Sequence, residues 1–234
     1  YGEYKLATLL HKITEETNIP WIRLLYCYPD KITDELIDEL RTNDRLLKYM
    51  DIPIQHISDK ILNRMNRHGG SALIKETVKK LRERVPGIAI RSIVIVGFPG
   101  EGEEEFENLA EFVNEIEFDR LGCFEFSPQE GTPAFDFEDQ VDDETKEDRR
   151  DEIMELQQEI AFDKAEDMIG RVIPVMIEGR IPDENAYVGR TYMDAPGIDG
   201  NIFITTDEDM MSGDFCFVKV TGALEYDLIG EFVD

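Results

Sequence analysis

The chain has 234 residues, 41% of them hydrophobic, enough to bury a core in one large domain or two smaller ones. Lys and Arg number 25 against 52 Asp and Glu, a net charge of −27, so its field disfavours nucleic acid and membrane headgroups and favours basic partners. No apolar run is long enough to span a bilayer, no signal peptide is expected, and three scattered cysteines (Cys27, Cys123 and Cys216) suit a reducing, cytoplasmic setting better than a disulfide scaffold.

The first two thirds alternate short apolar strands with amphipathic helices. "WIRLLY" (21–26) predicts a buried strand, and "TDELIDEL" a helix with Thr33 as N-cap and Leu36, Ile37 and Leu40 on one face. "MDIPI" (50–54) predicts a second strand. Ser58 then caps a short helix, and Ser71 opens one that buries Ile74, Val78 and Leu81. "IAIRSIVIVG" (88–97) predicts a third strand, followed by an acidic helix burying Phe106, Leu109, Ala110 and Val113. "LGCFEFS" (121–127) predicts a fourth. Such alternation implies a parallel sheet with right-handed crossovers. From Asp142 a charged helix runs to about Met168, with Ile153, Leu156 and Ile160 as its seam. Five short strands with period-two stretches then predict a small antiparallel β-barrel from Ile169 to Asp234. The expected domains are therefore 1–168 and 169–234.

Ligands of parallel α/β folds bind at the carboxyl ends of the strands. Those ends here carry Tyr28, Gln55, His56, Gly97 to Glu101, Phe126 and Ser127, and Arg91 lies within the third strand. "SIVIVGFPGEGEEEFENL" poses a question. A strand, a glycine-rich turn and a helix often cradle a phosphate, yet Glu101, Glu103, Glu104 and Glu105 crowd that turn. Taken singly, the signals have plain structural readings. The glycines shape a turn, the glutamates complement a helix N-terminus, Arg91 pairs with a structural carboxylate, and His56 lacks a second metal ligand at the right spacing.

Four segments carry a resemblance across nearly the whole chain: "YMDIPIQHISDKILNRMNR", "RSIVIVGFPGEGEEEFENLAEFV", "FDRLGCFEFSPQEGTPAFDF" and "YVGRTYMDAPGIDG". In order, they resemble the radical S-adenosylmethionine methylthiotransferases. One branch of that family thiomethylates an adenosine of transfer RNA. The other thiomethylates an aspartate of a ribosomal small-subunit protein, and "PIQHISD" and "GRTYMDAPGIDG" resemble this second branch. The resemblance implies the C-terminal part of an incomplete parallel (β/α) barrel followed by a TRAM domain, an OB-like barrel. It implies S-adenosylmethionine as cofactor, a sulfonium cation with no phosphate, which an acidic turn does not oppose. Carried over by position, the cofactor contacts are Tyr28, Gln55, Arg91, Ile95, Gly97, Glu101, Phe126 and Ser127. Arg91 is assigned to the methionine carboxylate and the turn to the adenine.

The family also uses two four-iron four-sulfur clusters. Neither the CxxxCxxC loop nor the second cysteine set occurs here. No metal ligand and no catalytic residue is therefore assigned, and this chain alone is expected to be inactive. Residues 169–234 hold 13 Asp or Glu against 4 Lys or Arg, which favours a basic ribosomal protein over RNA as partner. Asp207, Glu208 and Asp209, in a turn between strands, are the expected docking residues. A transfer RNA enzyme with an unusual barrel, and a non-catalytic acidic binding module, are the alternatives.

Overall fold

The computed structural model describes residues 4–233. The chain divides into two compact units, one ending at Gln157 and one beginning at Gln158. The first unit opens with α1 (Leu6–Glu16) and α2 (Asp34–Thr42). Thr33 caps α2 as its sequence predicts, its hydroxyl accepting the Leu36 N–H at 3.3 Å. Leu36, Ile37 and Leu40 are buried together, as helical spacing requires.

The sheet of this unit has three parallel strands in the order β1 (Tyr49–Asp51), β2 (Ala89–Val96), β3 (Arg120–Glu125). The crossover from β1 to β2 runs through α3 (Asp59–Arg64) and α4 (Gly70–Arg84), and that from β2 to β3 through α5 (Glu103–Ile116). Ser58 stands at the N-cap of α3 without a side-chain bond. The start of α4 is instead capped from α3, where Asp59 Oδ1 accepts the Ser71 N–H at 2.6 Å. Gly69 and Gly70 make the turn between the two helices at φ +102° and +66°, a region costly for residues with a Cβ. In α5, Phe106, Leu109, Phe112 and Val113 are buried, while Glu103, Glu104 and Glu105 occupy the first turn and favour the positive end of the helix.

The expected strand at 21–26 is not one. Its chain does run beside β1, with Ile22 bridged to Leu46 and the Cys27 N–H donating to Asp51 O at 2.8 Å. Between these points the ladder breaks. Tyr26 takes a left-handed φ of +58° and gives its N–H to the Asp51 carboxylate at 3.1 Å, a side chain substituting for a backbone partner. Leu25 and Tyr26 are exposed rather than buried. Apolar composition predicted the strand, and a competing carboxylate on the neighbouring strand disrupts it.

Helix α6 (Asp143–Glu166) also departs from expectation. Ile153 and Ile160 are buried as the expected seam requires, whereas Leu156 is only half-buried, and Lys146, Arg149 and Gln157 join the same buried stripe. These last three are polar, so apolar periodicity does not reveal their part of the stripe. Each has a bond: Lys146 to Asp143, Arg149 to Glu101, and Gln157 Nε2 to the Phe118 carbonyl at 3.0 Å.

The second unit is a closed barrel. It comprises β4 (Val172–Arg180), β5 (Ala186–Arg190), β6 (Ile202–Thr205), β7 (Phe215–Leu224) and β8 (Asp227–Val233), in the spatial order β4-β5-β6-β8-β7. Ile173, Val175, Ile177, Ile202, Ile204, Val218 and Val220 fill it. Its pairings are antiparallel except β6 with β8, which is parallel. The exception follows from connectivity, because β8 returns from β7 in a hairpin and lands between β7 and β6. No helix among the described residues is long and apolar enough to cross a membrane.

Gly230 and Gly189 lie where the barrel wall has no room. A Cβ at Gly230 would strike Val218 Cγ1 and approach the Lys219 carbonyl at 2.9 Å, while one at Gly179 meets nothing within 4 Å. Gly230→Ala should therefore destabilise the barrel by about 1–3 kcal/mol, the cost of overpacking, and Gly179→Ala should not. Urea unfolding followed by far-ultraviolet circular dichroism measures both; equal midpoints for the two variants would contradict the assigned wall packing.

Candidate functional site

The two faces of the parallel sheet differ. Met50, Ile90, Ser92, Val94, Val96, Leu121 and Cys123 lie on a buried face. On the other, Arg91, Ile93, Ile95, Arg120, Gly122 and Phe124 are all partly or fully exposed. Parallel strands are commonly buried on both sides and read as continuous apolar runs. The alternation in β2 leaves one face of the sheet uncovered among the described residues.

Arg91 stands on the open face, level with Asp51 of β1 and Arg120 of β3. Its Nη1 lies 3.3 Å from Asp51 Oδ1. Asp51 is almost wholly buried and also accepts the Tyr26 N–H, so a guanidinium, a carboxylate and a tyrosine-bearing loop meet at one point. Sequence reading missed Asp51. Its signal was a charged residue inside an apolar strand, one strand over from Arg91.

Ile95 lies four residues along the same face, roughly 13 Å from Arg91 at 3.3 Å per residue. Gln55 extends the β1 edge beside it, giving its N–H to Ile93 O at 2.9 Å and accepting the Ile95 N–H at 2.8 Å. Gln55 does so at φ +69°. Strain of this kind in a residue with a side chain is concentrated at functional positions. Phe126 follows β3, its N–H donating to Val96 O at 2.8 Å and its ring edge-on to Phe98 at 4.8 Å. Ser127 is exposed and accepts from Gln129. Tyr28 is exposed, with the Arg67 guanidinium over its ring at 4.4 Å. The structure thus gathers Gln55, Ile95, Gly97 and Phe126 at the carboxyl end of β2, sets Arg91 further down the face, and places Tyr28 just beyond Cys27, whose N–H meets the end of β1.

The glycine turn answers the question posed by its acidic flank. Four of its N–H groups are already taken: Gly97 donates to Glu101 Oε1 at 2.9 Å, Gly100 to Asp139 O at 2.9 Å, Glu101 to Phe98 O at 2.9 Å, and Gly102 to Glu105 Oε2 at 2.8 Å. A phosphate cradle needs such donors unengaged. Gly97 (φ +71°) also admits the Lys146 side chain, which a Cβ would strike. On the outer side Arg64 grips Asp139 with both Nη atoms, at 2.8 and 2.6 Å, holding that carboxyl below the usual range.

Glu101 itself points inward. Its fully buried carboxylate takes the Gly97 N–H and Arg149 Nη1, the latter at 3.0 Å, and faces His56 Nε2 at 3.3 Å. Neither His56 nor Arg149 stands out in the sequence as a partner of this turn: His56 lacks a second metal ligand at the right spacing, and Arg149 lies within a long charged helix.

The thiols do not converge. Among the described residues no group of three or more His, Cys, Asp or Glu could hold a metal ion. Burial, helped by Asp51, pushes the Cys27 thiol up to about 11, and burial pushes Cys123 to about 12. Cys216 is raised as well. The thiolate is the reactive and metal-binding form. At pH 8 iodoacetamide should therefore alkylate all three more slowly than a free cysteine, with Cys123 the slowest, and the rates should climb as pH rises towards these values. Peptide mass spectrometry over time checks the order; rapid labelling of Cys123 in the folded protein would refute it.

The Radical SAM superfamily model matches residues 2–113 and the TRAM domain model residues 169–233. A protein of Lachnoclostridium phytofermentans, named ribosomal protein uS12 methylthiotransferase RimO, is 50% identical over 230 residues, covering 98% of this chain and 52% of the relative. The protein of the same name from Desulfitobacterium hafniense is 45% identical over 233 residues, 100% of this chain and 52% of the relative. The chain thus spans about half the length of the curated relatives it matches. Among solved structures, the radical SAM enzyme coproporphyrinogen III oxidase (HemN) of Escherichia coli superposes with a TM-score of 0.52 over 93% of this chain and 50% of its own. At 14% identity that likeness concerns the fold alone.

Proposed function

We infer that this chain, which belongs with the radical SAM methylthiotransferases of the RimO type, is the C-terminal portion of an enzyme that thiomethylates an aspartate of ribosomal protein uS12. Identity of 45–50% over essentially its whole length to proteins of that name carries the reading.

S-adenosylmethionine fits the open face by its chemistry. Arg91 offers a guanidinium to the methionine carboxylate, Gln55 a carboxamide to the ribose, and Ile95 with the Gly97 turn an apolar seat for the adenine. The roughly 13 Å between Arg91 and Ile95 suits a ligand laid along β2. Tyr28, Phe126 and Ser127 complete the rim. When bound, the cofactor supplies the radical and methyl chemistry of the family. The residues of this chain hold it, orient it along the strand and keep phosphate away. An iron–sulfur cluster does not fit them: the three thiols are scattered and protonated at neutral pH. The activity therefore belongs to a protein in which cluster ligands are supplied by residues other than these.

The barrel is the proposed docking unit. Asp207, Glu208 and Asp209 are exposed in the segment after β6, where Asp207 also accepts from Asn185 at 3.1 Å. Their charge and that of the barrel suit a basic ribosomal protein, with no direct nucleic-acid substrate.

Two experiments on the complete enzyme test this reading. Arg91→Ala should weaken S-adenosylmethionine binding by roughly 1.5–3 kcal/mol, and Arg91→Lys should restore only part, since lysine lacks the planar fork. Because the change also strips Asp51 of its guanidinium, Asp51→Asn is measured beside it. Unchanged affinity in a folded Arg91→Ala variant would make the residue purely structural. For docking, Asp207→Asn, Glu208→Gln and Asp209→Asn together should slow association with the ribosomal protein and flatten its salt dependence. Tight binding of transfer RNA with indifference to the ribosomal protein would overturn the substrate assignment.

A further inference from the structure

The carboxylate of Glu101 is 0% exposed, as is the His56 imidazole, and the Arg149 side chain is 9% exposed. They come from three places: the loop after β1, the turn after β2, and α6. The Ser58 N–H donates to His56 Nδ1 at 2.9 Å, so the ring proton sits on Nε2, aimed at Glu101 Oε2. Neither Nε2 nor Oε2 has a hydrogen-bond partner of good geometry among the described residues; at 3.3 Å they face each other. Glu101 Oε1 takes the Gly97 N–H and Arg149, and Arg149 also donates to the Glu101 carbonyl at 3.2 Å. Arg149 further lies 5.1 Å from the Phe106 ring centroid and 3.4 Å from Glu103, which tie it to α5. The Glu101 carboxylate thus ties the Gly97 N–H at the start of the turn, while Arg149 holds both the carboxylate and the carbonyl of Glu101 just past Gly100.

We propose that His56, Glu101 and Arg149 are positioning residues, a buried cluster that sets the height of the glycine turn against the open sheet face, so that Glu101 acts on a bound ligand through the turn and does not touch it. The proposal rests on the reading that this face holds S-adenosylmethionine. It replaces the direct contact assigned to Glu101 from sequence by an indirect one, and it gives His56 and Arg149 roles in binding. The charge balance explains why the cluster holds together: a buried carboxylate needs a partner cation and donors, and here one guanidinium and one backbone N–H bond Oε1 while the imidazole Nε2 faces Oε2 at 3.3 Å.

The test uses the complete enzyme carrying Glu101→Ala, Glu101→Gln, His56→Gln, Arg149→Lys and the double variant Glu101→Ala/Arg149→Lys. S-adenosylmethionine affinity is measured by calorimetry, and amide hydrogen exchange of residues 97–102 in the ligand-free protein. Glu101→Ala should weaken binding about ten- to a hundredfold, the range for a buried charged hydrogen bond. His56→Gln and Arg149→Lys should weaken it in the same direction, and the double variant should be no worse than Glu101→Ala, because one turn is being released. Exchange of the Gly97 amide should quicken in all of them while that of Val94 stays slow. Loss of affinity on changing Glu101 alone, with the other two silent, would mean direct contact. Quickened exchange with affinity intact in every variant would make the cluster only structural. Where Glu101→Ala does not fold, the Gln and Lys variants carry the comparison. Should the wild type bind no S-adenosylmethionine, the ligand reading fails, and exchange in the variants still decides whether the cluster sets the turn.

Discussion

Glu101 carries a negative charge wholly out of water, in a chain whose other acidic side chains mostly line the surface. Taking one carboxylate into the interior costs on the order of several kcal/mol unless partners replace its hydration. Arg149, the Gly97 N–H and His56 are those partners, and each comes from a different element. The loop after β1, the turn after β2 and helix α6 are therefore held to a single point behind the carboxyl edge of the sheet. Arg149 in the buried stripe of α6 and the engaged N–H of the left-handed Gly97 both belong to that anchoring.

The excess of acid also decides where the cations go. Arg64 is held by Asp139, Lys60 by Glu105, Lys80 by Asp34, Arg84 by Asp38, and Arg150 by Glu125 and Asp151. Binding a phosphate backbone would have to pull such side chains from their carboxylates before gaining any contact. The pairs are mostly exposed, and each contributes little to stability. Collectively they leave a surface whose unpaired charge is negative. A basic protein meets that surface without first breaking anything.

How far the sequence could be read depended on whether apolar spacing or specific bonding decided an element. Helix α2, with Thr33, Leu36, Ile37 and Leu40, and the strands of the barrel followed spacing and were legible. The segment 21–26 looked equally apolar, but Asp51 took the Tyr26 N–H, and no local pattern encodes a carboxylate 25 residues away. The stripe of α6 was legible at Ile153 and Ile160 but hidden at Lys146, Arg149 and Gln157, which read as solvent residues. The open sheet face was half visible: Arg91 was flagged as an awkward charge within a strand, while its neighbour Asp51 passed unnoticed inside "MDIPI". The direction of Glu101 could not be read at all, since its partners lie 45 residues upstream and 48 downstream in the chain.

The barrel's strand order bears on how it is made. β8 sits between β6 and β7, so it supplies the last two ladders of the closed ring. During synthesis β4, β5, β6 and β7 emerge first and can pair only as an open sheet, with β6 at one edge and β7 at the other. Both edges carry unsatisfied backbone groups, the form in which strands associate with foreign chains. Closure of the ring needs β8 (Asp227–Val233). Translation that stalls or terminates even a few residues before β8 is complete thus releases a sticky open sheet, and the tail of this unit doubles as its protection against aggregation.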